Sequence, residues 1–395
     1  MLAAVGMAFL TPILEAKEFS SAEIGWLNAI KFASVIIFQI WIAAFSDRHA
    51  KTVSLKWVME AMAVVSMAAA GILWLIEDDF IQAALVFILY GATVSCLAPI
   101  IDSLSIQYLN HGRNLNYTVA RSAGSVTWAF ACIGIGKAAD ICGVNNILLL
   151  QIAATILFFA ICVWMDPVDF SKESTAESEE VKKSDDGKKV HSSFYLICNY
   201  PKYTLFLIAC LIMYMGYNLN ATFMIDIIKR LGGGHTELGW SEFVLAISEV
   251  PVMLLFAKMR KKFSLDQLMV ICAIFCTLRA AGTAFAPNVL LVILAQGFEI
   301  FGMSIYYAGI VFFVMENLPD TDVVKGVSFI NVAAVGVGQV FASAVCGMIR
   351  DAFGLDWLLN ISILVSACSI LLMIGMLRAP KNRKCYEKQK KKVLV

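Results

Sequence analysis

The chain has 395 residues, 60% of them hydrophobic and 15% charged, with a net charge of +1 and a mean hydropathy of +0.77. That exceeds the apolar content a water-soluble globule of this length needs for its core, so the chain reads as an all-α polytopic membrane protein. The 11 cysteines lie mostly in apolar runs, with no CxxC pair and no histidine at metal-ligand spacing, and read as small hydrophobes; no metal, cofactor or nucleic-acid partner is expected.

In chain order, apolar spans fall near 2–14, 24–45, 55–76, 80–108, 117–139, 146–165, 203–227, 238–257, 266–286, 289–315, 326–349 and 355–377. That makes about twelve transmembrane helices, most near the ~20 residues a bilayer demands. The first is short, because Glu15 and Lys17 follow it closely, and it reads as a helix cut short or one whose start lies upstream. No cleavable signal peptide is expected ahead of it.

Between the sixth and seventh spans, "PVDFSKESTAESEEVKKSDDGKKVHSS" is too polar to fold alone. The expected organisation is a six-helix bundle over 1–166, a linker over 167–202, a second six-helix bundle over 203–378 and a basic tail over 379–395. Lys and Arg cluster in alternate loops and in the tail, at Arg48, Lys51, Lys56, Arg113, Lys258, Arg260, Lys261 and Lys262, while Lys229, Arg230 and Arg350 are exceptions on the other side. The positive-inside rule then puts linker and both termini in the cytoplasm, in a multi-pass protein of the inner (plasma) membrane.

The halves repeat. "EIGW" (Glu23 to Trp26) returns as "ELGW" (Glu237 to Trp240) at the start of the second helix of each half, and "LVFILYG" (Leu85 to Gly91) returns as "LVILAQG" (Leu291 to Gly297) in the fourth. Internal duplication of this kind is how many secondary transporters are built.

Twelve spans, a central polar linker and "AAFSDRHAKTVSLKW" between the second and third helices resemble the major facilitator superfamily, with Ala43 or Ala44 where that family usually carries Gly. Within it, the chain resembles the branch holding lactose permease, the nucleoside symporters and the phenylpropionate permease. Asp102, "RSAGS" from Arg121, Glu249 and "LRAAGTAF" from Leu278 carry that likeness, with Lys31 as a weaker point. The resemblance implies a proton-driven importer. The chain departs from lactose permease in having no intramembrane histidine; Gln296 and Glu299 stand in that neighbourhood.

The charged residues also stand on their own. An ionisable group within a span costs at least about 2.5 kcal/mol and persists by facing a cavity, a partner or water. Counting about 1.5 Å per residue, Asp102 and Arg121 lie at one depth near the cytoplasmic edge and form a candidate ion pair, serving either the substrate or helix packing. Glu249 and Glu299 lie near the midplane with Arg279 slightly outward, so one guanidinium can serve either carboxylate. Three charges there cost too much for packing alone.

These three form the expected proton-coupling set: Glu299 carries the proton, Glu249 is the substrate-linked or second carboxylate, and Arg279 prompts release. Lys31, Asp102, Arg121, Trp128, Tyr217, Asn218 and Gln296 are candidate substrate ligands, and Asp47 and Arg48 candidate gate or loop anchors. Lys31 reads equally as a snorkelling or locally paired lysine. Glu242 and Asp226, near the outer helix ends, read as solvated. Glycines in the fifth and eleventh helices (Gly134, Gly136, Gly336, Gly338, Gly347) offer small faces for sliding contacts or for ordinary packing.

All four histidines fall in loops, and no P-loop or nucleophile elbow is present, so an enzyme is not expected and transport must draw on a gradient. The reading is a monomeric symporter taking up a sugar, oligosaccharide, nucleoside or aromatic acid with protons across the lipid bilayer. The alternatives are a proton-coupled exporter, against which the missing "GPxxGG" element over 117–140 speaks, and a non-transporting receptor or scaffold.

Overall fold

A computed structural model describes residues 2–48, 54–97, 100, 101, 104, 117–165 and 193–379, and among these every regular element is helical. The chain divides into two compact units, Met1–Gly187 and Lys188–Val395. The first contains α1 (Leu2–Ala8), α2 (Leu10–Ala16), α3 (Ser21–Arg48), α4 (Leu55–Leu75), α5 (Phe80–Tyr90), α6 (Tyr117–Cys142) and α7 (Ile147–Trp164). The second contains α8 (Ser193–Asn199), α9 (Pro201–Ala221), α10 (Met224–Arg230), α11 (His235–Lys262), α12 (Leu265–Ala284), α13 (Val289–Ala295), α14 (Met303–Asn317), α15 (Val323–Ile330), α16 (Gly338–Phe353) and α17 (Leu355–Arg378).

Among the described residues ten stretches are long and apolar enough to cross a bilayer, joined by a shorter one over Phe80–Val94 and by the α1–α2 pair. A spanning helix satisfies its own backbone groups, which is why lipid tolerates it. Its ends are finished by side chains: Asp79 accepts from the Ile81 and Gln82 amides at 2.9 and 3.0 Å, and Ser264 and Gln267 close a reciprocal box at the start of α12. Tryptophans gather at these ends. Trp57, Trp74, Trp164, Trp240 and Trp357 are all exposed within six residues of a helix terminus, as amphipathic rings at the two membrane interfaces are.

The repeat runs deeper than the two tetrapeptides. In each unit a helix, α1 in the first and α9 in the second, breaks at a phenylalanine (9 and 223) and the chain continues as a seven-residue helix ending at 16 and 230. A positive-φ residue follows (18 and 232), and a 28-residue helix starts at 21 and 235, so each landmark has its counterpart 214 positions on. The recurring glutamate has a mechanical reason. Glu23 reaches back to the Ser20 amide at 2.9 Å and Glu237 to the Gly234 amide at 2.7 Å, each closing the first turn of its helix.

The second repeat marks a departure from α-helix in both units. Gly91 opens a π-helical turn, Gly91–Ser95, and Gln296 and Gly297 open a 3₁₀ segment, Gln296–Phe301. A Cβ on Gly91 would lie 2.0 Å from Ser34 Oγ and 2.4 Å from the Lys31 carbonyl oxygen, so α3 crosses there against bare backbone. Gly216 makes the corresponding close approach to Ser366, joining α9 to the serine-lined face of α17. Gly338 packs on the Leu211 carbonyl oxygen, whereas Gly134 faces open space and makes no such contact.

Within the stretch expected as linker, 193–199 is helical and Pro201 opens α9. Lys202 there is buried, with its ammonium 2.5 Å from Asp266 Oδ2.

Candidate functional site

The site lies inside the second unit, where α9, α11 and α12 surround the interrupted helix formed by α13, the 3₁₀ segment and α14. A 3₁₀ run of six residues is long for that conformation, which is poorer in hydrogen-bond geometry than α-helix. Glycines at either end lie in ordinary packing contact with the neighbouring helices. A Cβ at Gly297 would touch Val244 and Ser248 of α11 at 3.8 and 3.9 Å, and one at Gly302 would stand 3.4 Å from Cys276 Sγ of α12. Ser304 donates to the Glu299 backbone carbonyl at 2.7 Å, stitching the segment to α14 across the break. Glu299 therefore sits on backbone that is not regular helix.

Arg279 of α12 and Glu299 are each 1% exposed, and Arg279 Nε is 3.6 Å from Glu299 Oε2. The guanidinium is secured by other groups. Its Nη1 donates to Gln296 Oε1 at 3.0 Å, and its Cζ lies 4.0 Å over the Tyr217 ring of α9. Gln296 is fixed in turn, its Nε2 donating to Thr283 Oγ1 and to the Val292 carbonyl, both at 3.1 Å, and the Thr283 hydroxyl donates to the Arg279 carbonyl at 2.9 Å. Among the described residues neither Glu299 carboxylate oxygen has a well-formed hydrogen bond. Its charge is met by Arg279 across an ion-pair distance and by the Met303 backbone amide, while Arg279 has a neutral acceptor and a π-face besides.

That asymmetry bears on the chemistry. A buried carboxylate met by few donors loses little when it takes up a proton, because what stabilises its charged form is one guanidinium and the Met303 amide. Arg279 keeps Gln296 and Tyr217 when Glu299 becomes neutral, so protonation need not collapse the site. The same scaffold thus accommodates both states of the carboxylate.

Glu249 lies on α11 with its charge acting on Tyr307, part of a tyrosine group in which Tyr306 packs edge-on to Tyr307 at 5.7 Å and to Tyr214 at 5.4 Å. Pro251, two residues on, has no amide to donate back to the Ile247 carbonyl, so this stretch of α11 too lacks a regular bond. Asn218 is buried beside Tyr217, with no hydrogen-bond partner for its Nδ2 among the described residues. In the first unit Trp128 is half-buried on α6, and Lys31 is 2% exposed, donating to Asn28 Oδ1 at 3.0 Å with its ammonium 4.7 Å over Phe32. Asp102 and the side chains of Arg121, Asp47 and Arg48 lie outside the described residues, and with them the expected Asp102–Arg121 pair and the gate.

Two expectations are corrected. Asp226 is not solvated: its Oδ2 is 2.6 Å from Arg350 Nη2, and the Arg350 guanidinium lies over Phe223. Arg230 pairs with Asp356 as well, so two of the three basic residues that run against the charge bias are neutralised locally. Glu242 is half-buried, and its charge reaches both Arg279 and Tyr217. Seven residues into α11, it stands about as deep as Arg279 does five residues from the end of the antiparallel α12. Thr283 went unnoticed in the sequence; its place one helical turn beyond Arg279 was the available signal.

The model of the family described as MFS_1 like matches residues 2–361. The chain is similar to the maltose permease of Geobacillus stearothermophilus, 21% identical over 379 residues covering 95% of this chain and 90% of that protein. Among solved structures it is similar to the nucleoside transporter NupG, with a TM-score of 0.77 at 13% identity over 96% of both chains. It is also similar to a D-xylose-proton symporter, with a TM-score of 0.66 at 15% identity over 96% of this chain and 92% of that one. At such identities these two likenesses speak for the fold.

Proposed function

Because the chain belongs to the MFS_1 like family, it is a multi-pass membrane transporter and not an enzyme, and we propose that it couples uptake of a small polar organic solute to protons by alternating access. The observation that carries this reading is the Arg279–Glu299 pair, fully buried on a broken helix, with its arginine held independently of its carboxylate. In this mechanism Glu299 takes a proton in one orientation of the transporter and returns it in the other. Arg279 drives the return by favouring the charged carboxylate, and Glu249 is the second, substrate-linked carboxylate.

The solute is a sugar or a nucleoside. Maltose, nucleoside and D-xylose appear in the names of the relatives, and all are hydroxyl-rich and uncharged, suited to a site of tyrosine rings and side-chain amides. The chain is organised as two six-helix bundles over 1–166 and 203–378, with the linker and both termini in the cytoplasm and the monomer as the working unit.

Purified protein in sealed vesicles tests this with a panel of labelled maltose, xylose and uridine. With the interior made alkaline, at least one solute should rise above its outside concentration and drop to equality when a protonophore is added. Mere equilibration without dependence on the proton gradient, or proton-driven extrusion of the same solutes, overturns the reading.

A further inference from the structure

Helix α11 sorts its basic residues by face. At about 100° per residue, Pro251, Leu254, Leu255, Lys258, Lys261 and Lys262 fall within one stripe about a third of a turn wide, and Arg260 points the other way. The apolar part of the stripe is exposed, at 64% for Leu254 and 45% for Leu255, as are Pro251 and all three lysines. Arg260 turns inward, donating to Glu316 Oε1 at 2.9 Å with its guanidinium 4.5 Å over Phe312. Glu316 is therefore engaged by Arg260. Among the described residues none of the three lysines has an acidic partner.

The placement is specific. The helix runs apolar along lipid-facing turns and then, on the same line, presents three uncompensated ammonium groups within its last five residues. Flexible lysine stems continuing an apolar stripe deliver their charges to the plane where acyl chains give way to headgroups. Solvation alone would not need this alignment, and the partial negative charge of a helix C-terminus is served by one or two cations.

We infer that the C-terminal end of α11, through Lys258, Lys261 and Lys262, binds the headgroup of an anionic phospholipid in the adjoining leaflet, with an acyl chain lying along Pro251, Leu254 and Leu255. The charges complement one another, and a basic residue near an anionic surface strengthens association by about fivefold, so three together give roughly a hundredfold. The inference is independent of what the protein transports.

The test uses the full-length protein in a neutral detergent, titrated with phosphatidylglycerol or with phosphatidylcholine of the same chains, reading the thermal unfolding midpoint. Phosphatidylglycerol should stabilise at roughly hundredfold lower concentration than it does in the Lys258→Gln, Lys261→Gln, Lys262→Gln triple variant. The triple arginine variant should behave as wild type, and glycerol phosphate, which has the charge but no chains, should not compete at matched concentration. Equal stabilisation by both lipids, or an anionic preference that survives in the glutamine variant, overturns the proposal. Should that variant fail to fold, a photoreactive anionic lipid on the wild-type protein decides the matter: labelling within 251–263 supports the site, and labelling confined elsewhere refutes it.

Discussion

Arg279 lies within ion-pair distance of Glu299, at 3.6 Å, yet gives its hydrogen bond to Gln296, at 3.0 Å. A charged donor buried in the second unit is thereby committed to a neutral amide. A hydrogen bond from a charged donor is worth about 1.5–3 kcal/mol, and that stabilisation holds the arginine whether its neighbouring carboxylate is ionised or protonated. The arrangement separates the task of keeping the arginine in place from the task of carrying charge.

Replacing Glu299 by Gln fixes the protonated form. Exchange of labelled for unlabelled solute should continue at a rate within a few-fold of wild type, while uphill accumulation falls to an inside-to-outside ratio of one. Both are read in the same vesicles. Accumulation that survives in this variant passes the proton-carrying role to Glu249.

Gln296→Leu removes the neutral acceptor and leaves Arg279 free to close on Glu299. A nearer guanidinium favours the charged carboxylate, so a higher proton concentration is needed to load it. The outside pH at which half of the uphill transport is lost should move down, by about one unit if roughly 1.4 kcal/mol of interaction is redirected. A profile that stays in place or moves up would show that Gln296 does not hold Arg279 away.

Gly91→Ala inserts a methyl group 2.0 Å from Ser34 Oγ and 2.4 Å from the Lys31 carbonyl oxygen. Because part of that clash is with backbone, α3 and the π-helical turn must separate, at a cost of about 1–3 kcal/mol. A lowered unfolding midpoint in detergent is expected. Gly134→Ala, where the added carbon meets nothing within 4 Å, is the control and should leave the midpoint unchanged or slightly raised.

The Lys202–Asp266 pair, at 2.5 Å with side chains 3% and 7% exposed, predicts a non-additive result. Lys202→Met alone leaves the Asp266 carboxylate buried without this cation, a loss of about 3–5 kcal/mol. Adding Asp266→Leu should restore most of it, since an apolar pair of similar volume carries no charge to desolvate. A thermal-stability cycle of the four proteins checks this; simple addition of the two losses would mean that the residues do not act on one another.

Hydropathy, spacing and charge were enough to read from the residues an all-helical membrane chain, a duplicated organisation, and three ionisable groups too costly to bury idly. Each is a property that a residue carries wherever its neighbours are: the transfer cost of a side chain, the length needed to cross a bilayer, the recurrence of a tetrapeptide. The partners were not legible. Glu242 was read as solvated from its distance to the helix end, but whether a side chain at that depth points into water or toward the charge of Arg279 depends on the rotation of α11, which turns by about 100° with each residue. Packing against α12 and the 3₁₀ segment sets that rotation. Asp226 likewise found Arg350 more than a hundred residues away because the first turn of α10 meets the last turn of α16. The departures from α-helix at Gly91 and Gln296 are not legible in composition; at Gly91 the π-helical turn lies where α3 approaches its bare backbone. The sequence by itself determined which groups must be explained, because desolvation is a cost each residue bears alone; only the tertiary structure decided which group meets which, because contact requires two helices to agree on depth and rotation together.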